Sequence, residues 1–189
     1  MTRPIYEPSP ERKDAYLEFQ TDQLFRRPAP QPGNLPYAWI NFQAFANIPT
    51  DTWYNLGNVV SPIFIDSFIS DEDNLASFDL DIDMCSIGWD KPGEYHATAW
   101  VLFDDSWVNG NRLSLALNRG VNHIYTAFRI ANINPVDATG TGEVRVPVSS
   151  HFWSPNPSIL APGSIRAEPR HTAGADRQVG TVELTVVRI

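Results

Sequence analysis

The stretch Ser77-Phe-Asp-Leu-Asp-Ile-Asp-Met84 decides the fold class, because apolar and acidic residues alternate through it with a period of two. Successive side chains of a β-strand point to opposite faces, so this pattern predicts a half-buried strand. The side chains predicted to face a core are Phe78, Leu80, Ile82 and Met84. The side chains predicted to face away from it are Asp79, Asp81 and Asp83.

Seven further segments have strand-like patterns, some alternating and some continuously apolar: residues 37–45, 63–68, 95–103, 113–117, 124–130, 144–148 and 182–186. Turn residues such as Asp90-Lys-Pro-Gly93 separate them, and no segment after residue 36 predicts a long amphipathic helix. Eight strands without helical crossovers must pair antiparallel, so the sequence predicts an all-β fold, a jelly-roll antiparallel β-sandwich. Residues 149–180, rich in proline, are expected to form a long functional loop or one pinned by neighbouring subunits.

The N-terminal segment differs from the rest of the chain. Seven of the sixteen prolines lie in residues 1–36, and the run Arg26-Arg-Pro-Ala-Pro-Gln-Pro-Gly33 can neither continue a helix nor enter a sheet interior. We therefore expect an extended anchoring arm and hinge over residues 1–36 and a jelly-roll head over residues 37–189. Within the arm, residues 13–25 are compatible with a short amphipathic helix or with a solvated tail.

Composition excludes several partners. The formal net charge is −8 and Lys13 and Lys91 are the two lysines, whereas nucleic-acid surfaces are usually basic, so we expect no nucleic-acid partner. No stretch has the eighteen or so apolar residues of a membrane helix, so we expect no membrane insertion. A single cysteine and the lack of an apolar leader favour synthesis in a reducing cytoplasm without export.

The sequence contains no recognisable catalytic or cofactor-binding motif, so we expect a non-enzymatic protein with no cofactor and no metal. The four histidines are scattered, and Cys85 is expected to be buried and inert. The acidic residues between Asp71 and Asp83 are expected to be solvated; a bound cation or a basic partner segment is the alternative. A hydrolase acting on cell-wall sugar would need two carboxylates brought together by the fold.

Six tryptophans in 189 residues exceed what a core of this size needs. Some of them can form a subunit interface or a platform on which sugars stack. The candidates for glycan or host-receptor binding are Trp107 and Trp153.

Three segments carry a family resemblance. The run Pro92-Gly-Glu-Tyr-His-Ala-Thr-Ala-Trp-Val-Leu-Phe103, the hairpin strand from Gly110 to Asn118 and the C-terminal strand from Val182 to Ile189 resemble the complement-globular-head and tumour-necrosis-factor class of jelly rolls. The resemblance covers residues 37–189 in pattern, and the long loop at residues 149–180 departs from it. It implies a compact homotrimer and places the module among those that cap bacteriophage fibres and tail proteins.

The arm is similar to N-terminal segments of small structural proteins of bacteriophages that infect actinobacteria, on the basis of Tyr6-Glu-Pro-Ser-Pro10 and Asp22-Gln-Leu-Phe-Arg-Arg-Pro28. This implies a minor tail or decoration protein of the virion, assembled in the host cytoplasm, with tail and capsid both open as its position. The residues expected to anchor it to other virion proteins are Tyr6, Leu17, Phe19, Leu24, Phe25, Arg26 and Arg27.

Overall fold

The structure is a computed structural model that describes residues 35–58, 63–103, 111–121, 136–137, 143–155, 157–158 and 160–189. Nearly all of the predicted arm, including its seven anchoring residues, lies outside the described residues, as do Trp107 and the predicted strand at residues 124–130. The arm and its boundary with the head therefore remain predictions.

The described part of the chain forms ten strands and one short 3₁₀ turn, Leu56–Asn58. The strands are β1 (Tyr37–Ile48), β2 (Ile63–Ser70), β3 (Phe78–Asp81), β4 (Ser86–Trp89), β5 (Gly93–Phe103), β6 (Arg112–Val121), β7 (Val136–Asp137), β8 (Val144–Ser154), β9 (Gly163–His171) and β10 (Arg177–Arg188). No α-helix occurs among these residues, and none of their elements is a helix long and apolar enough to cross a membrane.

The strands form two five-stranded sheets in which every pairing is antiparallel. Sheet 1 has the order β2-β1-β10-β5-β8, and sheet 2 has the order β3-β4-β9-β6-β7. The chain changes from one sheet to the other between β4 and β5, between β5 and β6, and at each of the three steps from β7 to β10. This strand order is that of a jelly roll, so the predicted all-β jelly-roll sandwich is confirmed.

The core lies between the facing sides of the two sheets and explains the alternating sequence pattern. Along β5 each buried residue is followed by an exposed one from Gly93 to Ala99, because one face of the strand meets the core and the other does not. Large side chains that are fully buried include Ile40, Ile87, Tyr95, Phe103, Leu113, Leu115 and Leu117. Each contributes roughly 1.5–3 kcal/mol through removal of its apolar surface from water.

An aromatic cluster closes one end of the core. The ring centroids of Trp89 and Tyr95 lie 4.9 Å apart, and Phe152 stacks on Tyr95 at 6.0 Å. The Tyr95 hydroxyl donates to the Lys91 carbonyl at 2.7 Å and the Trp89 indole donates to Ser154 Oγ at 3.0 Å. The predicted turn at residues 90–93 is thus held in place by the side chain of Tyr95, which lies two residues beyond it.

The predicted long loop at residues 149–180 is wrong, because it contains the end of β8, all of β9 and the start of β10. Strand β9 shows no alternation in its sequence because both of its faces are buried from Gly163 to Pro169. Pro169 removes no hydrogen bond from the sheet, since its carbonyl points out of the pairing with β6 and accepts from Tyr54 N at 3.0 Å. Its missing N–H would therefore point toward the segment of Tyr54 and not toward the neighbouring strand β6.

The stretch at residues 77–84 forms a shorter strand than predicted. Strand β3 ends at Asp81, whose carboxylate accepts from Met84 N at 3.0 Å within a turn over residues 82–85. Ile82 is consequently exposed, not in the core, and Asp83 lies in the turn. The predicted row of three carboxylates along one strand is therefore not formed. The short strand β4 that follows the turn was not predicted.

Candidate functional site

The candidate site is the side of sheet 1 that faces away from the core. Three rows of paired residues cross this side from β2 to β8: Ser70, Tyr37, Val187, His96 and His151; Phe68, Trp39, Thr185, Thr98 and Ser149; and Asp66, Asn41, Glu183, Trp100 and Pro147. We call this set the outer face of sheet 1. Its residues alternate with core residues such as Ala38 and Val186, which fixes the direction in which they point.

Glu183 lies on β10, the middle strand of the outer face of sheet 1, in the third of its rows. It pairs with Asn41 of β1 on one side and with Trp100 of β5 on the other. Desolvation raises the pKa of the Glu183 carboxyl, while side-chain hydrogen bonds from the Trp100 and Trp39 indoles and the charge of Arg145 act in the opposite direction. A carboxylate in this position is poorly hydrated and gains from any further hydrogen-bond donor that approaches it.

One buried polar atom near Glu183 lacks a partner. The indoles of Trp39 and Trp100 interact with the Glu183 carboxyl, whereas Asn41 Oδ1 has no hydrogen-bond partner among the described residues. Trp39 is 4% exposed and Trp100 is 8% exposed. A buried polar group without a partner typically costs about 1–3 kcal/mol. This part of the face therefore has unused hydrogen-bonding capacity in the described chain.

Apolar and cationic groups lie around Glu183. The guanidinium carbon of Arg145 lies 4.0 Å from the centre of the Trp100 ring, an arrangement that attracts a cation to an aromatic face. On the opposite side, the rings of Tyr37 and Phe68 lie 5.6 Å apart, and Phe68 remains 40% exposed. A face with aromatic residues and few charges has the composition of the central part of a protein interface.

Two histidines and a glutamate lie at one end of the outer face of sheet 1. His96 and His151 pair directly across β5 and β8, with ring centroids 6.3 Å apart. His151 Nε2 is 3.1 Å from Glu94 Oε1, and both of these side chains are about half exposed. We call His96 and His151 the histidine pair. The sequence places the four histidines on different predicted elements, and the strand register brings these two together.

Trp153 lies beside this end of the face and is 61% exposed. It pairs with Glu94 across β5 and β8, and its carbonyl accepts from the Arg119 guanidinium at 3.2 Å. An exposed indole next to a carboxylate and an imidazole can stack on the apolar face of a sugar while the polar groups bind hydroxyls. Trp107, the other residue predicted for glycan binding, lies outside the described residues, so their pairing stays a prediction.

The acidic residues near Asp71 have a structural role. The Asp71 carboxylate accepts from the backbone N–H groups of Leu75, Ala76 and Ser77 at distances of 2.6–3.4 Å, which fixes the turn before β3. Among the described residues no group of three or more histidine, cysteine or acidic side chains is arranged to hold a metal ion. Cys85 is buried, and desolvation, with the nearby Asp81 and Asp83, raises its pKa to about 12. Its thiol is therefore a poor nucleophile at neutral pH.

Sequence reasoning missed a buried ionic cluster on the side of sheet 2 that faces away from the core. Glu168 Oε1 accepts from Arg166 Nε at 3.0 Å, from a terminal guanidinium nitrogen of Arg166 at 2.7 Å and from Asn118 Nδ2 at 3.0 Å. Arg166 and Glu168 are both buried. They lie in β9, within the segment expected to be a loop. The signal that could have found them is a charged pair with strand spacing, Arg-x-Glu, between apolar residues.

The fold and this face define the chain as a jelly-roll module with one largely uncharged sheet surface. No protein-family model and no curated protein matches the sequence. Among the solved structures that are similar in fold are the following two. The structure of Eiger TNF from S. frugiperda is matched with a TM-score of 0.46 and 12% identity, over 82% of this chain and 93% of that chain. The globular domain of the zebrafish complement 1qA protein is matched with a TM-score of 0.47 and 15% identity, over 82% of this chain and 97% of that one.

Proposed function

We propose that this chain is a non-enzymatic assembly module whose heads associate into a homotrimer through the outer face of sheet 1. The observation that carries the proposal is the largely uncharged, aromatic composition of this face, with Tyr37 against the 40% exposed Phe68 on one side and Trp100 on the other. A second copy packed on this face can cover the side chains of Phe68 and Tyr37 and supply a donor to Asn41 Oδ1. The trimeric stoichiometry rests on the sequence resemblance described above.

The role proposed for the assembly is structural, as part of a bacteriophage virion formed in the host cytoplasm. Residues 1–36 are proposed to attach the head to tail or capsid proteins through the anchoring residues named for the arm. This part of the proposal is supported by the composition of the arm and by its resemblance to phage structural proteins. Three arms held together on one trimer would bind a repeating particle surface more tightly than one arm, because the second and third contacts become intramolecular.

Trp153 supports a second candidate function, binding of a host-surface glycan or receptor. Its indole is exposed and neighbours Glu94, and the half-exposed imidazole of His151 contacts that carboxylate. The Trp153→Ala variant should lose retention on a glycan array while the assembly state stays unchanged. Binding that is equal for the wild-type and the variant chain would contradict a sugar site at Trp153.

The assembly itself is tested by multi-angle light scattering of the full chain at micromolar concentration. We expect a mass close to three times the 21.2 kDa of the monomer. Thr98→Arg places a charge at an exposed position on the outer face of sheet 1 and should shift the chain toward monomer, because an unpaired buried charge is costly. Thr52→Arg, at an exposed position outside this face, is the matched control and should remain trimeric. A monomeric wild-type chain, or equal masses for the two variants, would overturn the proposal.

A further inference from the structure

The histidine pair lies on the face through which assembly is proposed. His96 and His151 are directly opposed in the β5–β8 register, in the same row as Val187 of β10 and Tyr37 of β1. Their ring centroids are 6.3 Å apart and their planes are inclined by 32°. A contact that covers this row therefore encloses two imidazoles together.

Burial affects the two charge states of such a pair differently. Neutral imidazoles can be covered at modest cost when their nitrogens find partners. Two imidazolium ions at this separation repel each other, and a low-dielectric interface strengthens that repulsion while it removes their hydration. Glu94, which is 3.1 Å from His151, can offset the charge on one of the two rings. Among the described residues no acidic side chain forms an ion pair with the other ring, that of His96.

We propose that the histidine pair makes self-assembly through the outer face of sheet 1 weaken as the pH falls below neutrality. This inference rests on the assembly proposed above and names its regulation. An interface that covers the pair opposes protonation of its imidazoles, so the free chains bind more protons than the assembly. By linkage, a state that binds more protons is favoured as the pH falls, and here that state is the dissociated one.

The other ionisable groups on the face change the pH dependence of assembly in different directions. Arg145 of β8 is positively charged and adds to the repulsion of an imidazolium, whereas Glu94 of β5 reduces it. Glu183 of β10 and Asp66 of β2 lie two rows away from the histidine pair, and Tyr37 of β1 lies in the same row as the pair. Further desolvation of Glu183 in an interface would favour its protonated form, so Glu183 alone would make assembly stronger in acid. The direction of the pH effect therefore distinguishes control by the histidine pair from control by Glu183.

The test is sedimentation velocity of the full chain at pH 7.5 and at pH 5.5. Between these values each imidazole that must stay neutral in the interface weakens assembly about tenfold per protomer. For one such imidazole in each of three protomers, the overall dissociation equilibrium of the trimer shifts by about 1000-fold. The His96→Gln, His151→Gln double variant should be trimeric at both pH values. Ser149→Gln, which adds an amide to the same face and keeps both histidines, should retain the wild-type pH dependence.

The outcomes separate this inference from the assembly on which it rests. A wild-type trimer of equal strength at both pH values, or one that is stronger at pH 5.5, overturns the role of the histidine pair and leaves the assembly intact. A double variant that still dissociates in acid also overturns it. A chain that is monomeric at pH 7.5 overturns both. The single variants His96→Gln and His151→Gln should fall between wild type and double variant, which keeps the test valid if the double variant does not fold.

Discussion

Gly163 lies against the indole of Trp89 so closely that a β-carbon on Gly163 would be 2.6 Å from the indole nitrogen. That nitrogen donates to Ser154 Oγ at 3.0 Å, and Trp89 is fully buried in the aromatic cluster with Tyr95 and Phe152. The indole of Trp89 therefore occupies the space that a side chain on Gly163, its partner in the neighbouring strand β9, would need. The φ angle of Gly163 is not positive. A larger residue is therefore disfavoured at this position by lack of space and not by backbone conformation.

Gly163→Ala should destabilise the fold by about 2–4 kcal/mol, since it forces the indole to move and disturbs its hydrogen bond. Urea unfolding followed by tryptophan fluorescence measures the change. Gly174→Ala is the matched control, because a β-carbon there has open space and the cost arises from the positive φ of 75°. We expect about 1–2 kcal/mol for the control. A loss at Gly163 no larger than that at Gly174 would refute the packing argument.

The buried pair of Arg166 and Glu168 predicts an asymmetric response to substitution. Glu168→Gln leaves the Arg166 guanidinium buried beside a neutral amide and should cost about 3–5 kcal/mol. Replacing both residues with Met and Leu should cost less than the single change, because no uncompensated charge remains. Asp51→Asn is the control: it removes the exposed partner of Arg170 and should change the free energy of unfolding by about 1 kcal/mol or less. Equal losses for the single and the double change would contradict this interpretation.

His171 predicts a dependence of stability on pH. Its Nε2 lies 2.9 Å from the Ile48 carbonyl and its Nδ1 accepts from Ala173 N at 3.2 Å, which is the pattern of a neutral ring. Desolvation lowers the pKa of His171 in the folded chain, and the contact with Ile48 only partly opposes this. The unfolded chain therefore binds more protons, so stability is full above the ordinary histidine pKa and falls as the pH drops below it.

The measurement is thermal unfolding from pH 7.5 to pH 5 for the wild-type chain and for His171→Gln. The variant should be less stable at pH 7.5 but should lose less stability over this interval. Parallel pH profiles for the two chains would show that another group causes the acid dependence.

If residues 1–36 are an anchoring arm, the stability of the head should not depend on them, whereas attachment to the particle should. Removing residues 1–33 should leave the thermal unfolding of the remaining chain nearly unchanged, yet abolish incorporation into particles. Leu24→Ala with Phe25→Ala should weaken incorporation more than Arg26→Ala with Arg27→Ala. Buried apolar anchors contribute about 2 kcal/mol or more each, and exposed charges contribute roughly 0–1 kcal/mol. A truncated chain that unfolds or aggregates would show that the arm belongs to the core of the head.

The sequence predicted strands from two patterns, alternation as in β5 and β10 and continuous apolar runs as in β1 and β2. Strand β5 is the clearest example of alternation, and its Trp100 occupies an outward position in that pattern. Strand β9 was missed because both of its faces are buried. Its polar residues Ser164, Arg166 and Glu168 lie among apolar ones, so the sequence does not show which side faces the core. Strand β4 was missed because four residues are too few to establish a period.

The composition of the site depends on which strands are neighbours, and periodicity does not contain that information. Trp39 and Glu183 are distant in sequence and are brought together by the β1–β10 register. The same holds for His96 and His151. The sequence did contain one useful signal: a tryptophan at an outward position of an amphipathic strand indicates a surface that another group covers.

The proline in the last strand of sheet 1 has a consequence for how copies can combine. Among the described strands β8 has one neighbour in its sheet, β5, and a long edge of this kind can template the addition of further chains without limit. Pro147 has no N–H to donate, and the charged Arg145 lies two residues before it on β8; both features disfavour the addition of further strands. In the proposed assembly, growth is therefore directed to surfaces that can close into a ring of finite size.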